Sequence, residues 1–435
     1  MRSIDVGILL SDRVEFRLNG EFRCNGATFN GSGVAVVSDG CVEWAGGCID
    51  RVVLTPVDPS FTFTICNVVI GIDFHWQRCE EQTFSGELHL FVENGKVRVV
   101  NRVVIEEYLV SVISSEMSAT SSLQLLKAHA VVSRSWVYAQ LQRAQCSAPV
   151  TASVCGTESD GEITRWYERE DHHLFDFCAD DHCQRYQGVT RVLNPTVLRA
   201  VKETEGVVVV SDGCVCDARF SKCCGGITEL FSSCWGDKDV PYLASFRDSA
   251  SQSDTFDASD ELSAREWIES VPDAFCSVDD AAVLSQVLNG YDRETNDFYR
   301  WTVTYTQDEL SALLRQKSGI DFGVVNELVP LERGRSGRIV RLQIVGDRKS
   351  IVVGKELEIR RWLSPTHLYS SAFVVDKKSS PDGEICFVLK GAGWGHGVGL
   401  CQIGAAMMGE RGYDYTEILA HYYPNTDLKN INELI

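Results

Sequence analysis

Polar and apolar positions alternate through much of the first hundred residues. The runs Val34–Val37, Val52–Leu54, Phe61–Ile65, Leu88–Val92 and Val97–Val100 are short and rich in β-branched or aromatic residues. Gly and Asp turns separate them, the pattern of half-buried strands. Glu93-Asn94-Gly95-Lys96 lies between the last two runs and predicts a tight hairpin, because Asn-Gly accepts the left-handed backbone such turns need. The period then changes. Ile105, Leu109 and Val112 recur at spacings of four and three, one face of a helix beginning near Val104. Ser121 or Ser122 is a plausible N-cap for a second helix. That helix carries Leu125, Ala128, Val132 and Trp136 on one face and ends by about Gln145. Glu116 falls at the junction of the two helices, outside either apolar stripe.

Further along, residues 150–190 look irregular. Gly206–Val210 and Val215–Phe220 read as strands around an Asp212-Gly213 turn. The Ser- and Asp-rich stretch 247–260 predicts a mobile surface loop. Gln307–Gln316 reads as helix, and Arg338–Val345 and Ser350–Val353 read as strands. These elements predict a mixed α+β fold. Residues 1–100 form a β-rich part, and 101–435 form a domain with the helix pair 104–145, the loops 170–190 and 247–260 and a Gly-rich motif at 391–404. A substrate groove is expected between the β-rich part and the core of that domain. It should bring Glu116 to His396, 280 positions further on.

Composition narrows the function classes. The 435 residues are 44% hydrophobic and 23% charged, ordinary for a globular protein. No stretch reaches the ~20 apolar residues of a membrane span. Lys and Arg number 41 against 61 Asp and Glu, a net charge of -20. That balance argues against a nucleic-acid binder, which needs a basic face for phosphates. Cysteine numbers 17, so complete internal pairing is impossible. The first dozen residues hold a short apolar run broken by Asp5 and Asp12. They read as a first strand and not as a signal peptide. The expectation is a cytoplasmic protein, or one whose export segment is missing from this chain.

Three runs carry candidate chemistry. Gly391 to Gly404 places glycine at every second position up to Gly399. In an extended segment this would strip one face of side chains, put Trp394 and His396 on the other, and let backbone approach a ligand. It matches neither the P-loop nor the Rossmann fingerprint. Second, Asp171 to Gln184 holds His172, His173, Cys178, His182 and Cys183. Two thiolates and two imidazoles at such spacing suit tetrahedral zinc, with either His172 or His173 as the fourth ligand. The thiols of Cys214, Cys216, Cys223, Cys224 and Cys234 read as buried hydrophobes beside a Gly225-Gly226 turn, with a second metal site or a disulfide as the alternatives. Third, Tyr108-Leu109 and Ser115-Glu116-Met117 precede Lys127-Ala128-His129-Ala130-Val131 and Arg134.

The third run resembles the stage II sporulation protein D and amidase-enhancer family, whose pattern reads SEMP followed by LKAQAV and an Arg. Gly393 to Ala405 resembles that family's GWGHGVGMSQYGA, and Gly206–Thr228 its strand with a following GG-x-T. Ser118 stands where the family usually has Pro, His129 where it has Gln, and Ile403 where it has Tyr. The resemblance implies a lytic transglycosylase acting on peptidoglycan glycan strands, especially strands stripped of stem peptides, with Glu116 as catalytic acid. Breaking a glycosidic bond requires an acid for the leaving oxygen. Ordinary glycosidases add a second carboxylate. A lytic enzyme uses the sugar's own 6-hydroxyl as nucleophile, so one carboxyl serves as acid and then as base. Partial burial would raise the Glu116 pKa for that task. Trp394, His396 and Gln402 are candidates for lining the groove, by stacking on sugar faces or bonding hydroxyls. Arg134 would pair with a lactyl carboxylate, or else support the helix pair through a salt bridge. The resemblance selects His172 with Cys178, His182 and Cys183 as ligands of a structural zinc. A cell-wall amidase is the partner it implies, and a non-catalytic, glycan-gripping enhancer is the competing function. It implies the cell envelope, against the cytoplasmic reading of the N-terminus.

Overall fold

The computed structural model describes residues 2–70, 78–118, 120–146, 154–167, 172–180, 183–191, 194–251, 256–287, 297–379 and 383–434. The fold is mixed α+β, in two compact units: residues 1–119 with 171–205, and residues 120–170 with 206–435.

The first unit is built on an 11-stranded sheet. Ser3–Ser11 lies between Lys96–Val104 and the short strand Phe177–Cys178, the latter pairing parallel through Val6 and Gly7. The 93–96 hairpin forms as predicted, with Asn94 at φ +50° and Gly95 at +75°. Strand Lys96–Val104 runs directly into helix Ile105–Glu116. Glu106 and Glu107 occupy the first turn of that helix, where negative charge complements the exposed amide ends. Its buried face is Ile105, Tyr108, Leu109, Val112 and Ile113, spaced as a core-facing stripe requires. Tyr108 stacks on Phe177 at 6.1 Å and on Tyr186 at 5.1 Å between ring centroids. Each fully buried ring of this kind contributes roughly 1.5–3 kcal/mol. The helix stops at Met117, whose backbone is extended and whose N–H closes on the Ile113 carbonyl.

The second unit is organised around helix Leu123–Cys146. Every residue from Leu125 to Val137 is buried except Lys127, so the polar members must be satisfied internally. Ser135 Oγ donates to the Val131 carbonyl at 2.6 Å and accepts from the Val209 N–H at 2.8 Å. A five-stranded sheet runs Val154–Ser159, Glu162–Tyr167, Ser350–Gly354, Ile339–Gly346, Val325–Arg333. It shares a core with the sheet of Arg300–Thr306, Ile385–Ala392 and Phe373–Ser379. Strand Val207–Ser211 forms as expected. Of the expected strand 215–220 only the ends are extended, in Cys214–Val215 and Phe220–Ser221.

Further expectations are corrected. Residues 150–190 are not irregular throughout, since Val154–Ser159 and Glu162–Tyr167 pair as antiparallel strands. The stretch 247–260 is not uniformly a surface loop. Asp248 is fully buried, and its backbone is strapped to Gly226 and Phe275. The Gly-rich motif is not extended either, because Gly393, Gly395, Gly397 and Gly399 all take positive φ, between +72° and +91°. Alternate left-handed residues coil the segment. A Cβ on Gly399 would stand 2.1 Å from the Arg219 carbonyl oxygen, and one on Gly397 would stand 2.5 Å from the Arg338 guanidinium. Among the described residues no helix is long and apolar enough to cross a membrane.

Candidate functional site

In the first unit, Glu116 is the last residue of its helix and is half-buried. The preceding turn is pinned from below. Ser115 Oγ donates to the Ser111 carbonyl at 2.8 Å, and Ser111 Oγ accepts the Gln187 N–H at 3.1 Å. The Tyr108 hydroxyl, fully buried, has no hydrogen-bond partner among the described residues. Burial first, then the neighbouring Cys183, Cys178, Tyr186 and Glu116, hold its ionisation well above the ordinary phenol range. The phenol therefore stays neutral.

Those thiols belong to the expected metal loop. The ligand atoms of His172, Cys178 and Cys183 lie within 4.8 Å of one another. His172 Nε2 is 3.5 Å from the Cys183 sulfur, which also accepts the Cys178 N–H at 3.4 Å. Asp176 Oδ2 accepts the Asp5 N–H at 2.8 Å, tying the loop to the first strand. Two sulfurs and one imidazole at this spacing fit a thiophilic divalent ion such as zinc. His182 lies outside the described residues. His173 is exposed and stands outside the cluster.

The second unit holds the other expected residues. The Gly-rich segment is docked on the 219–226 stretch: Trp394 exchanges backbone hydrogen bonds with Cys223 at 2.8 and 3.0 Å, and Phe220–Ser221 pairs parallel with Leu400–Cys401. Trp394 is half-buried, with one face stacked on Phe298 at 4.8 Å and Tyr369 edge-on. His396 keeps some exposure, and its Nδ1 accepts the Val398 N–H at 3.0 Å. Burial first, then the positive charges of Arg219, Arg338 and Arg360, push its pKa down to about 3. It is therefore a neutral imidazole with its proton on Nε2, suited to hydrogen bonding and not to carrying charge.

Arg134 and Gln402, both expected to meet substrate, are buried. Arg134 is fully buried and donates to the Val207 carbonyl at 3.1 Å. Gln402 is buried, with its amide nitrogen 3.0 Å from His129 Nε2. His129, held neutral by burial and Lys222 with its pKa at about 3, is in turn 3.2 Å from Ser133 Oγ. Arg134 thus ties the central helix to strand Val207–Ser211, and Gln402 ties it to the helix that follows the Gly-rich segment.

Sequence reasoning missed Arg338. It is fully buried and forks onto the Gly395 carbonyl at 3.0 and 3.2 Å, the Cys224 carbonyl at 3.1 Å and Ser336 Oγ at 2.9 Å. Nothing local marks an Arg in a strand-like run as the clamp of a loop more than fifty positions away. A second thiol cluster, of Cys224, Cys276 and Cys401 with Asp248, was likewise not assembled from sequence.

Comparison with known proteins places these features. Residues 93–210 match the stage II sporulation protein family, and 229–399 match a domain of unknown function, DUF8618. The stage II sporulation protein D of Bacillus amyloliquefaciens is 22% identical over 336 residues, 77% of each chain. Residues 93–210 therefore carry a stage II sporulation protein domain. An uncharacterized protein of Brachyspira hyodysenteriae is 26% identical over 353 residues, covering 81% of this chain and 73% of its own. The amidase enhancer of Bacillus subtilis is 26% identical over 340 residues, which is 74% of this chain but 40% of that protein. The matched domain contains the Glu116 helix, the His/Cys loop and the central helix.

Proposed function

We propose that this protein is a cell-wall enzyme of the stage II sporulation protein D family, a lytic transglycosylase that cleaves peptidoglycan glycan strands. Glu116 protonates the leaving glycosidic oxygen. It then takes the proton of the 6-hydroxyl as that oxygen closes on the anomeric carbon to give a 1,6-anhydro end. The observation that carries this reading is a half-buried carboxyl ending the helix Ile105–Glu116, in a Ser-Glu-Met motif within the domain the family comparison matches. No water is needed as nucleophile, so the second carboxylate of a hydrolase is not required.

His172, Cys178 and Cys183 would hold a structural zinc, with His182 completing a closed shell. Bound there, the ion supplies a cross-link in place of a packed core, keeping the loop against the first strand. His396 and Trp394, both half-buried, are assigned to sugar binding. Arg134 and Gln402 are assigned to support.

Glu116→Gln tests the reading. The variant should bind denuded glycan strands as the parent does, and lose roughly 10²–10⁴-fold or more of anhydro-end formation. Unchanged turnover removes Glu116 from the chemistry. The second reading, a non-catalytic glycan-binding partner of a cell-wall amidase, is favoured by the similarity to a protein named amidase enhancer. It predicts binding without products in parent and variant alike.

A further inference from the structure

The second unit contains a cluster that the glycan chemistry does not use. Cys224, Asp248, Cys276 and Cys401 are all buried, and their ligand atoms all lie within 4.8 Å of one another. They come from four separate stretches of chain. Cys224 precedes the Gly225-Gly226 turn, Asp248 follows Arg247, which bridges to Ile227, Cys276 lies beyond helix Glu261–Ser270, and Cys401 immediately precedes helix Gln402–Glu410. The Cys224 sulfur is 3.3 Å from Asp248 Oδ2 and 3.5 Å from the Cys276 sulfur. The Cys401 sulfur accepts the Cys224 N–H at 3.2 Å.

We propose that Cys224, Asp248, Cys276 and Cys401 form a second metal site, which takes a thiophilic divalent ion, zinc foremost, in a closed Cys3Asp shell. Three arguments converge. Three soft thiolates and one carboxylate oxygen make a four-membered donor set that tetrahedral zinc accepts. The carboxylate is already oriented: its other oxygen, Oδ1, is 3.0 Å from His421 Nε2 and accepts the Tyr422 hydroxyl at 2.9 Å, the outer-shell support that ligating carboxylates show. This leaves Oδ2 facing the thiols. Finally, a fully buried carboxylate among thiols is costly unless a cation or a full set of donors compensates it. Backbone is held close around it, since a Cβ on Gly404 would stand 2.6 Å from Asp248 Oδ2. The ion would knit Cys401, and with it the end of the Gly-rich segment, to the 224–226 turn on which that segment is docked. Binding releases the thiol protons.

The test uses full-length protein prepared under reducing conditions, loaded with zinc and freed of excess metal. Elemental analysis should find two equivalents in the parent, one in Cys178→Ser/Cys183→Ser, and one in Cys276→Ser. Cobalt(II) loaded into Cys178→Ser/Cys183→Ser should give intense sulfur-to-metal charge-transfer absorption, which abolishes the need for Cys276→Ser to fold. No zinc in Cys178→Ser/Cys183→Ser, no charge-transfer band in that variant, or a Cys224–Cys276 disulfide found by peptide mapping of the parent would each overturn the site. Loss of glycan cleavage in Glu116→Gln does not bear on it.

Discussion

Arg338→Ala should be among the most damaging single changes in the second unit. The guanidinium is fully buried and donates to two main-chain carbonyls of separate segments, Gly395 and Cys224, and to Ser336 Oγ. Ser336 in turn donates both its hydroxyl, at 2.6 Å, and its N–H, at 3.2 Å, to the buried Glu229 carboxylate. Burial pushes the Glu229 pKa up, while these donors and the Arg338 charge pull it back. Truncation removes the cation and leaves the carboxyl and three acceptors behind. Glu229 feels the Arg338 charge through Ser336 and not in a direct ion pair, and stripping a buried carboxylate of its compensating cation costs up to about 3–5 kcal/mol. Separate hydrogen bonds to a charged group, about 1.5–3 kcal/mol each, do not add on top of that. A loss of about 3–5 kcal/mol is therefore expected. Arg338→Lys restores the charge without the fork and should fall between the parent and Ala. Urea unfolding followed by tryptophan fluorescence reads this well, because seven of the nine tryptophans lie in the second unit. A loss under about 1 kcal/mol with an unchanged denaturant slope would refute the clamp.

Other outcomes follow from the same geometry. His129 and His396 are neutral in the fold, with pKa values of about 3 against an ordinary 6.5. As pH falls below 6.5 the unfolded chain gains two protons that the folded chain refuses. Their contribution to stability is thus intact above that value and lost progressively towards about 3. His129→Gln should flatten the acid limb of a stability–pH curve by about one proton, near 1.4 kcal/mol per pH unit; an unchanged slope would put His129 in the protonated state. Gly399→Ala should cost about 1–2 kcal/mol for the left-handed backbone alone, with more from the Arg219 carbonyl, and a neutral result by urea titration would contradict the coiled segment. Cys178→Ser should lower bound zinc by one equivalent in elemental analysis while leaving the second thiol cluster loaded.

The parts of the fold written in local pattern were legible. The Asn94-Gly95 hairpin, the Ile105–Glu116 helix and the Leu123–Cys146 helix each need only a period, a turn pair or a cap to be recognised. Non-local placements were not. Residues 171–205 belong to the first unit, and the strand they add to its sheet, Phe177–Cys178 beside Val6 and Gly7, is too short for any period to mark. Asp248 sits in a polar stretch that looks solvated, yet His421 and Tyr422, over 170 positions away, hold it in the core. The glycines of 393–399 were read as openings for a ligand. Their positive φ and close contacts show that the backbone itself requires them. Side-chain types carried the chemistry better than their burial: Arg134 and Gln402 are the residues a sugar site uses, but packing has claimed both.

The most direct test of the central claim is the fate of solvent oxygen. Denuded glycan strands incubated with the protein in oxygen-18-labelled water should give anhydro-ended fragments free of label, and none with Glu116→Gln. Label at a new reducing end would mean hydrolysis by a water nucleophile and contradict the single-carboxyl mechanism.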